Sequence, residues 1–209
     1  MKIEVKGVTK KFNDEEVLKN INMILNDGKI YGFIGKNGSG KSVLLKIICG
    51  FYKPTSGEVL INDVCYNKND IYVPDLRALI EKPNFFDNLT GFENLKLLSD
   101  IQNTITDSDI ISTLEDVNLS EVKDKKFHQY SLGMKQKLGI AQVLMEDSKI
   151  LIFDEPFNGV DNESVSKISK IIKEKKNNRI IIITSHYLDE INKLCDVIYE
   201  FDNGECKCI

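Results

Sequence analysis

Residues 35–42 read Gly-Lys-Asn-Gly-Ser-Gly-Lys-Ser, which satisfies the pattern GxxxxGK[ST]. An apolar, strand-like run at residues 29–34 precedes them, and residues 42–49 have the length of a buried helix that closes at Gly50. In this setting the glycines let backbone N–H groups face phosphate oxygens, and the helix N-terminus attracts the same negative charge. A flexible glycine turn is the alternative, but the flanking strand and helix favour a phosphate site.

The side chains of this loop indicate that the phosphate belongs to ATP carried with Mg²⁺. Lys41 is placed to neutralise the β- and γ-phosphates, and the Ser42 hydroxyl is a ligand for Mg²⁺. ATP and Mg²⁺ are therefore the expected cofactors. The residues expected to bind them here are Gly35, Lys36, Asn37, Gly38, Ser39, Gly40, Lys41, Ser42 and Val43.

Two kinds of strand pattern occur outside the loop. Apolar and polar residues alternate at residues 2–5 and 21–25, and Asn26-Asp27-Gly28 predicts a tight turn into the next strand. Continuous apolar runs occur at residues 150–153 and 179–184, as is typical of central parallel strands that are covered on both faces. The patterns therefore predict an antiparallel region at the start of the chain and a parallel sheet later.

Helical patterns fill the intervening sequence. From about residue 84 to residue 146, apolar residues recur at helical spacing and β-branched alternation disappears. Two further helices are expected, one capped by Asn162 and one at residues 185–193.

At 209 residues the chain has room for one sizeable core, in which a second lobe would be an insertion. We expect an α/β fold: a P-loop NTPase (RecA-like) core with an N-terminal antiparallel β subdomain and an inserted helical subdomain. Residues 1–209 would form a single domain, divided into a catalytic core at residues 1–82 and 147–209 and a helical insertion at residues 83–146.

Composition argues against several classes of protein. The net charge of −4 argues against a nucleic-acid partner bound through its phosphate backbone. No apolar run approaches the roughly 20 residues that cross a bilayer, and the N-terminus lacks the apolar segment of a signal peptide. We therefore expect a cytosolic chain that reaches a membrane only through a partner. The five cysteines are expected to be reduced, structural thiols.

Asp154 and Glu155 follow the apolar run at residues 150–153, so they lie at the carboxyl edge of the predicted sheet. Asp154 is suited to hold Mg²⁺, and Glu155 to act as the general base that polarises the attacking water. Such a pair is also common as a solvated turn, but the P-loop upstream favours the catalytic interpretation. His186 follows the next strand at the same edge, and from the residues alone a structural role and a γ-phosphate contact are equally supported.

Residues 130–134 read Tyr-Ser-Leu-Gly-Met and introduce a helix with Ser131 as a natural N-cap. A simply capped helix is one interpretation. The other is that an exposed helix N-terminus with serine and glycine receives a phosphate. Because the chain has its own P-loop, that phosphate would belong to ATP on a second subunit.

With these motifs in order, the sequence resembles the ATP-binding subunits of ABC transporters along nearly its whole length. The resemblance implies that Phe12 stacks on adenine with Val17 beside it, although Phe12 is also suited to a core position. Residues 130–134 take the place of the LSGGQ signature and depart from it at three of five positions. Within it the resemblance assigns Ser131, Gly133 and Met134 to the ATP of the facing subunit. It also identifies Asp154 and Glu155 as the Walker B pair, Asp161 as the D-loop aspartate and His186 as the switch histidine.

Glu81 stands where most members of this family have a glutamine that links Mg²⁺ and the attacking water to the membrane subunit. Glutamate keeps the metal-binding oxygen, loses the amide donor and adds a negative charge, so Mg²⁺ affinity and coupling should both differ. Together with the signature at residues 130–134, this glutamate resembles the bacitracin and lantibiotic resistance branch of the family.

The resemblance implies an ATP-hydrolysing subunit that powers an ABC transporter, with peptide antibiotics or similar amphipathic compounds as export substrates. Two subunits, as a homodimer or as a heterodimer with a second ATPase subunit, would sandwich two ATP molecules. The dimer would lie on the inner face of the cell membrane, attached through a membrane-spanning transporter subunit. Two alternatives stay open: a soluble ABC ATPase of translation or DNA repair, and a regulatory subunit with little hydrolysis.

Overall fold

The computed structural model describes residues 1–66 and 73–209 of the chain. Its strands are β1 (Lys2–Phe12), β2 (Glu15–Asn26), β3 (Lys29–Ile34), β4 (Ser56–Ile61), β5 (Leu76–Leu79), β6 (Ile150–Phe153), β7 (Ile180–Ser185), β8 (Val197–Asp202) and β9 (Glu205–Cys208). Its α-helices are α1 (Lys41–Ile48), α2 (Gly91–Gln102), α3 (Asp107–Asp116), α4 (Leu132–Leu144), α5 (Asn162–Glu174) and α6 (Leu188–Leu194). Short 3₁₀ turns occur at Ser120–Val122 and Phe127–Gln129.

A three-stranded antiparallel sheet, in the order β2-β1-β4, opens the chain and confirms the predicted N-terminal β region. Its inward side chains alternate with exposed ones, as the sequence pattern requires. The turn at Asp27 and Gly28 joins β2 to β3 as expected, but the two strands do not form a hairpin. The Gly28 N–H donates to the Arg179 carbonyl at 2.9 Å, so the chain crosses here from one sheet to the other.

The larger sheet has the order β5-β6-β7-β3-β8-β9 and is parallel except for its last pair, β8 and β9. All residues of β6 and β7 are buried, as predicted for central parallel strands. The sequence patterns did not predict β5 and β9. Each has only four residues and lies at an edge of the sheet, and neither contains a continuous apolar run.

The helices α2, α3 and α4 occupy the region predicted as a helical insertion. Because α4 also packs against β5 and β6, it connects that region to the sheet, and the boundaries at residues 83 and 146 stay a prediction. Among residues 1–66 and 73–209, no helix combines the length and the apolar character that a bilayer span requires.

Two predicted helix starts were wrong. The N-cap of α5 is Asp161, whose Oδ1 accepts the Ser164 N–H at 2.8 Å, and Asn162 is the first helical residue. The second helix, α6, begins at Leu188 and not at residue 185. Ser185 still belongs to β7, where it pairs with Ile34 of β3, so the chain cannot turn helical before it leaves the sheet.

Candidate nucleotide site

The predicted phosphate loop lies between β3 and the N-terminus of α1, at the carboxyl edge of the larger sheet. Gly40 is the N-cap of α1 and has a φ of 103°, which side-chain-bearing residues rarely adopt. A Cβ added to Gly40 would lie 2.6 Å from Leu18 Cδ2 and 3.0 Å from the Val17 carbonyl oxygen. Glycine is therefore required here for the loop to close against β2.

A cleft next to this loop is also lined by Val17 of β2 and by Glu155, which follows β6. Lys41 and Ser42 line the cleft at the start of α1, and Glu155 lines it from the side of β6. The lining residues are Val17, Asn37, Gly38, Ser39, Gly40, Lys41, Ser42, Val43 and Glu155. Most of the predicted P-loop contacts, with Val17, are thus brought together around one space.

Among the described residues that line this cleft, Lys41 is the one that carries an ammonium. The residue is 5% exposed, and its Nζ donates to the carbonyl oxygens of Gly35 at 2.6 Å and Lys36 at 3.1 Å. Burial lowers the Lys41 pKa below its ordinary value, while the negative charges of Glu155 and Asp154 act in the opposite direction. The result is a partly desolvated cation held beside the loop, where it attracts a phosphate strongly.

Asp154 is fixed by a residue that the sequence patterns did not single out. Thr184 Oγ1, at the end of β7, donates to Asp154 Oδ1 at 2.6 Å and accepts the Glu155 N–H at 2.8 Å. Because β6 and β7 pair with Phe153 beside Ile183, the next residues along both strands are neighbours. The strand register could therefore have identified Thr184 as a positioning residue.

Glu155 and His186 are in direct contact, although the sequence predicted only that both lie at this edge of the sheet. His186 Nδ1 lies 2.9 Å from Glu155 Oε2, while Glu155 Oε1 is buried without a hydrogen-bond partner in the described part of the chain. Gln136 Nε2 of α4 donates to the Glu155 backbone carbonyl at 3.1 Å. One carboxylate oxygen is thus held by histidine and the other is left available for a ligand inside the cleft.

The oxygen donors at this edge fit a magnesium ion that is bound mainly by phosphate. Mg²⁺ prefers oxygen ligands and uses one or two carboxylates together with substrate phosphates and water. Ser42 and Asp154 supply a hydroxyl and a carboxylate, and no cluster of three or more His, Cys, Asp or Glu ligands occurs among residues 1–66 and 73–209. The third predicted ligand, Glu81, is exposed, and its carboxylate pairs with Lys46 of α1.

The remaining predicted site residues lie elsewhere on the surface. Ser131 caps α4 by accepting the Met134 N–H at 3.3 Å, and a Cβ added to Gly133 would lie 2.4 Å from the Gly159 carbonyl oxygen. Phe12 packs edge-to-face on Tyr52, with ring centroids 5.6 Å apart. Of the described residues, those that line the P-loop cleft do not include Phe12, Ser131, Gly133, Met134 or Asp161.

The Asp161 cap yields a stability prediction. The backbone hydrogen bond from Ser164 lowers the Asp161 pKa to about 2. Asp161→Ala should lower the free energy of unfolding by about 1 kcal/mol at neutral pH, because an N-cap oxygen is lost. The ionic part of this contribution is present above about pH 4, the ordinary value for the unfolded chain, and disappears as pH falls through about 2.

Urea unfolding of the nucleotide-free chain measures this effect. Asp161→Asn is the matched control, because its amide oxygen still caps α5, and it should lose much less stability than the alanine variant. Equal losses for both variants would show that the charge of Asp161, which also pairs with Lys137, and not its cap oxygen stabilises the chain.

Comparison with known proteins agrees with this geometry. The sequence model of the family described as ABC transporter matches residues 18–158. The bacitracin transport ATP-binding protein BcrA of Enterococcus faecalis is 39% identical over 97% of this chain and 67% of its own length. The lantibiotic transport ATP-binding protein SrtF of Streptococcus pyogenes is 34% identical over 94% of this chain and 85% of its own. The dimeric post-hydrolysis structure of the ATP-binding cassette MJ0796, bound to ADP and Pi, has a TM-score of 0.87 and 25% identity, and the match covers 98% of this chain and 96% of that one.

Proposed function

The chain belongs to the ABC transporter family as a subunit that binds and hydrolyses ATP, and from this premise we propose that it powers the export of peptide antibiotics or similar amphipathic compounds. The observation that carries the mechanism is the cleft in which Lys41 and Ser42 face Glu155. The substrate class rests on two relatives, whose names state transport of bacitracin and of a lantibiotic.

In the proposed reaction, Lys41 binds the β- and γ-phosphates and the loop N–H groups hold the phosphate oxygens. Ser42 and Asp154 would hold Mg²⁺, with Glu81 as a third ligand; when bound, the ion neutralises charge on the phosphates. Glu155 orients a water and accepts its proton as the water oxygen bonds to the γ-phosphorus and the bond to ADP breaks. The contact of His186 with Glu155 Oε2 supports this assignment, because it leaves Oε1 free for the water.

We further propose that each ATP is enclosed by two subunits, in a homodimer or a heterodimer with a second ATPase subunit. ABC cassettes form dimers, as the MJ0796 structure illustrates. Ser131 and Gly133 lie at the exposed N-terminus of α4, outside the chain's own cleft, which supports a role toward the ATP of the facing subunit. Met134 and Asp161 would complete the same contact, and Phe12 would stack on adenine beside Val17.

A membrane-spanning subunit is the second proposed partner, and through it the chain would lie on the inner face of the cell membrane. The helical region exposes large apolar side chains that support such docking: Phe86, Leu97 and Ile101 are 68%, 47% and 77% exposed. Purification of the tagged chain from membranes, followed by identification of the associated span-forming protein, tests this partner. Recovery of the chain without any membrane protein, from cells that also express the transporter, would contradict it.

A mixing experiment tests the two-subunit site. Ser131→Arg removes the serine hydroxyl and fills the space where the facing phosphate should bind, and Lys41→Ala removes the phosphate-binding ammonium. Each variant alone should be almost inactive. In a mixed dimer, however, the intact Lys41 of one chain faces the intact Ser131 of the other, so one of the two sites is complete. If half of the dimers are mixed, phosphate release should recover to about a quarter of the wild-type rate.

The control is Ser120→Arg, which adds the same side chain to an exposed serine of the helical region. This variant should keep wild-type activity without a partner. If the mixture of Ser131→Arg and Lys41→Ala is no more active than the two proteins measured separately, the shared site is wrong.

A further inference from the structure

Lys46 lies on α1 beyond the phosphate loop and contacts two different groups. It is four residues after Ser42, so it projects from the same face of the helix one turn further along. Its ammonium pairs with the Glu81 carboxylate and lies 5.3 Å from the centroid of the Tyr52 ring. The Lys46 ammonium donates a hydrogen bond in this pair, and the Glu81 carboxylate accepts it.

Glu81 leaves the sheet close to the proposed metal ligands. Strand β5 pairs with β6 so that Leu79 lies beside Phe153, and Glu81 therefore follows β5 by the same two residues as Glu155 follows β6. Its φ of 63° is unusual for a residue with a side chain. The carboxylate is thus attached near Asp154 but is bound to α1 by Lys46.

The second group that Lys46 contacts, the Tyr52 ring, packs against Phe12, the residue expected to stack on adenine. The Tyr52 ring packs edge-to-face on Phe12 at an interplanar angle of 71°. Lys10 Nζ lies 4.9 Å from the Phe12 centroid and 5.7 Å from the Tyr52 centroid. Lys46 therefore connects the Glu81 carboxylate to this aromatic pair, whereas Lys10 contacts the same pair from another position and donates to the Lys53 carbonyl oxygen.

We propose that Lys46 is a positioning residue that competes with Mg²⁺ for the Glu81 carboxylate, so that metal loading of the ATP site is coupled to release of Glu81 from α1. This inference rests on the proposed metal role of Glu81. A carboxylate that bridged both groups would hold the ammonium and the divalent ion a few ångströms apart, where like charges repel. A glutamine at position 81 would carry no charge and would not form this ion pair, so the competition follows from the glutamate of this chain.

Binding of Mn²⁺ as a spectroscopic probe, measured by electron paramagnetic resonance with ATP present, tests the inference. All proteins carry Glu155→Gln so that hydrolysis does not interfere. Lys46→Gln should raise Mn²⁺ affinity when Glu81 is present. This increase should exceed the increase in a Glu81→Gln background by a factor of about 1.5 to about 5, as expected for one partly exposed ion pair.

Two control variants make the result specific. Lys46→Arg keeps the ion pair and should stay close to the parent affinity. Lys10→Gln removes a cation from the same aromatic pair without touching Glu81, so Mn²⁺ affinity should not change with it. Circular dichroism of each variant confirms that the fold is retained.

Two results would overturn the proposed competition between Lys46 and the metal and leave the proposed ATPase site intact. One is an equal effect of Lys46→Gln on Mn²⁺ affinity in both backgrounds. The other is that Lys46→Gln lowers Mn²⁺ affinity when Glu81 is present. If Glu81→Ala leaves Mn²⁺ affinity unchanged in the Lys46→Gln background, where no ion pair competes, Glu81 is not a metal ligand and the inference fails with that assignment. A complete lack of Mn²⁺ binding by the ATP-loaded chain would instead overturn the metal site of the proposed function itself.

Discussion

Glu155→Gln is expected to lower the rate of phosphate release by about 10²- to 10⁴-fold, the usual contribution of a general base. ATP binding should survive, because the amide has nearly the shape of the carboxylate and the backbone contacts of Glu155 with Thr184 and Gln136 do not involve its side chain. What is lost is an acceptor for the proton of the attacking water. The variant should therefore accumulate as an ATP-bound dimer.

Single-turnover phosphate release and size-exclusion chromatography with ATP measure the two parts of this expectation. Glu174→Gln is the matched control, since it neutralises an exposed glutamate near the end of α5 and should keep the wild-type rate and the wild-type dimer fraction. Phosphate release from Glu155→Gln at the wild-type rate would refute the role of Glu155 as the base.

The central part of the site could be predicted from sequence because it depends on local patterns. The P-loop specifies its own turn and helix, and the continuous apolar runs of β6 and β7 specify central parallel strands. Parallel strands bring their carboxyl ends to one edge, so Asp154, Glu155 and His186 were expected together. The contact of His186 with Glu155 agrees with this shared edge, but the register of β6 and β7 alone places Ser185 level with Glu155.

The elements that were missed depend on tertiary pairing. β5 and β9 are four-residue edge strands, and each is specified by its neighbour in the sheet more than by its own sequence. The pairing of Glu81 with Lys46 joins residues 35 positions apart, so no local sequence pattern indicates it. The start of α6 was wrong for a similar reason, because pairing with β3 extends β7 through Ser185.

The departures of residues 130–134 from the LSGGQ signature follow a physical pattern. Gly133 is retained where a side chain would collide with the backbone at Gly159, which cannot move aside as a flexible side chain can. Leu132, which replaces a glycine, is 62% exposed and meets no such obstacle. Ser131 is retained where it caps α4. The conformation of this segment is therefore compatible with its unusual sequence.

Lys41→Ala is expected to weaken ATP binding by at least about tenfold and up to about a hundredfold, since one hydrogen bond to a charged group contributes about 1.5 to 3 kcal/mol. The Lys41 residue is 5% exposed, and in the nucleotide-free chain its ammonium donates to the Gly35 and Lys36 carbonyl oxygens. No neighbouring side chain in the described residues of the cleft carries a second ammonium: the other lining residues are Val17, Asn37, Gly38, Ser39, Gly40, Ser42, Val43 and Glu155. Phosphate release should fall further than affinity, because charge on the phosphates grows in the transition state.

Fluorescent ATP titration and phosphate release at saturating ATP separate these two effects. Lys29→Ala is the control: Lys29 is exposed at the opposite end of β3, the strand that leads into the P-loop, so its loss removes one positive charge without touching the cleft. The control should bind and hydrolyse ATP normally. If both lysine variants lose the same affinity, net charge is sufficient to explain the effect; if only Lys41→Ala does, the buried ammonium at the head of α1 is the group that recognises phosphate.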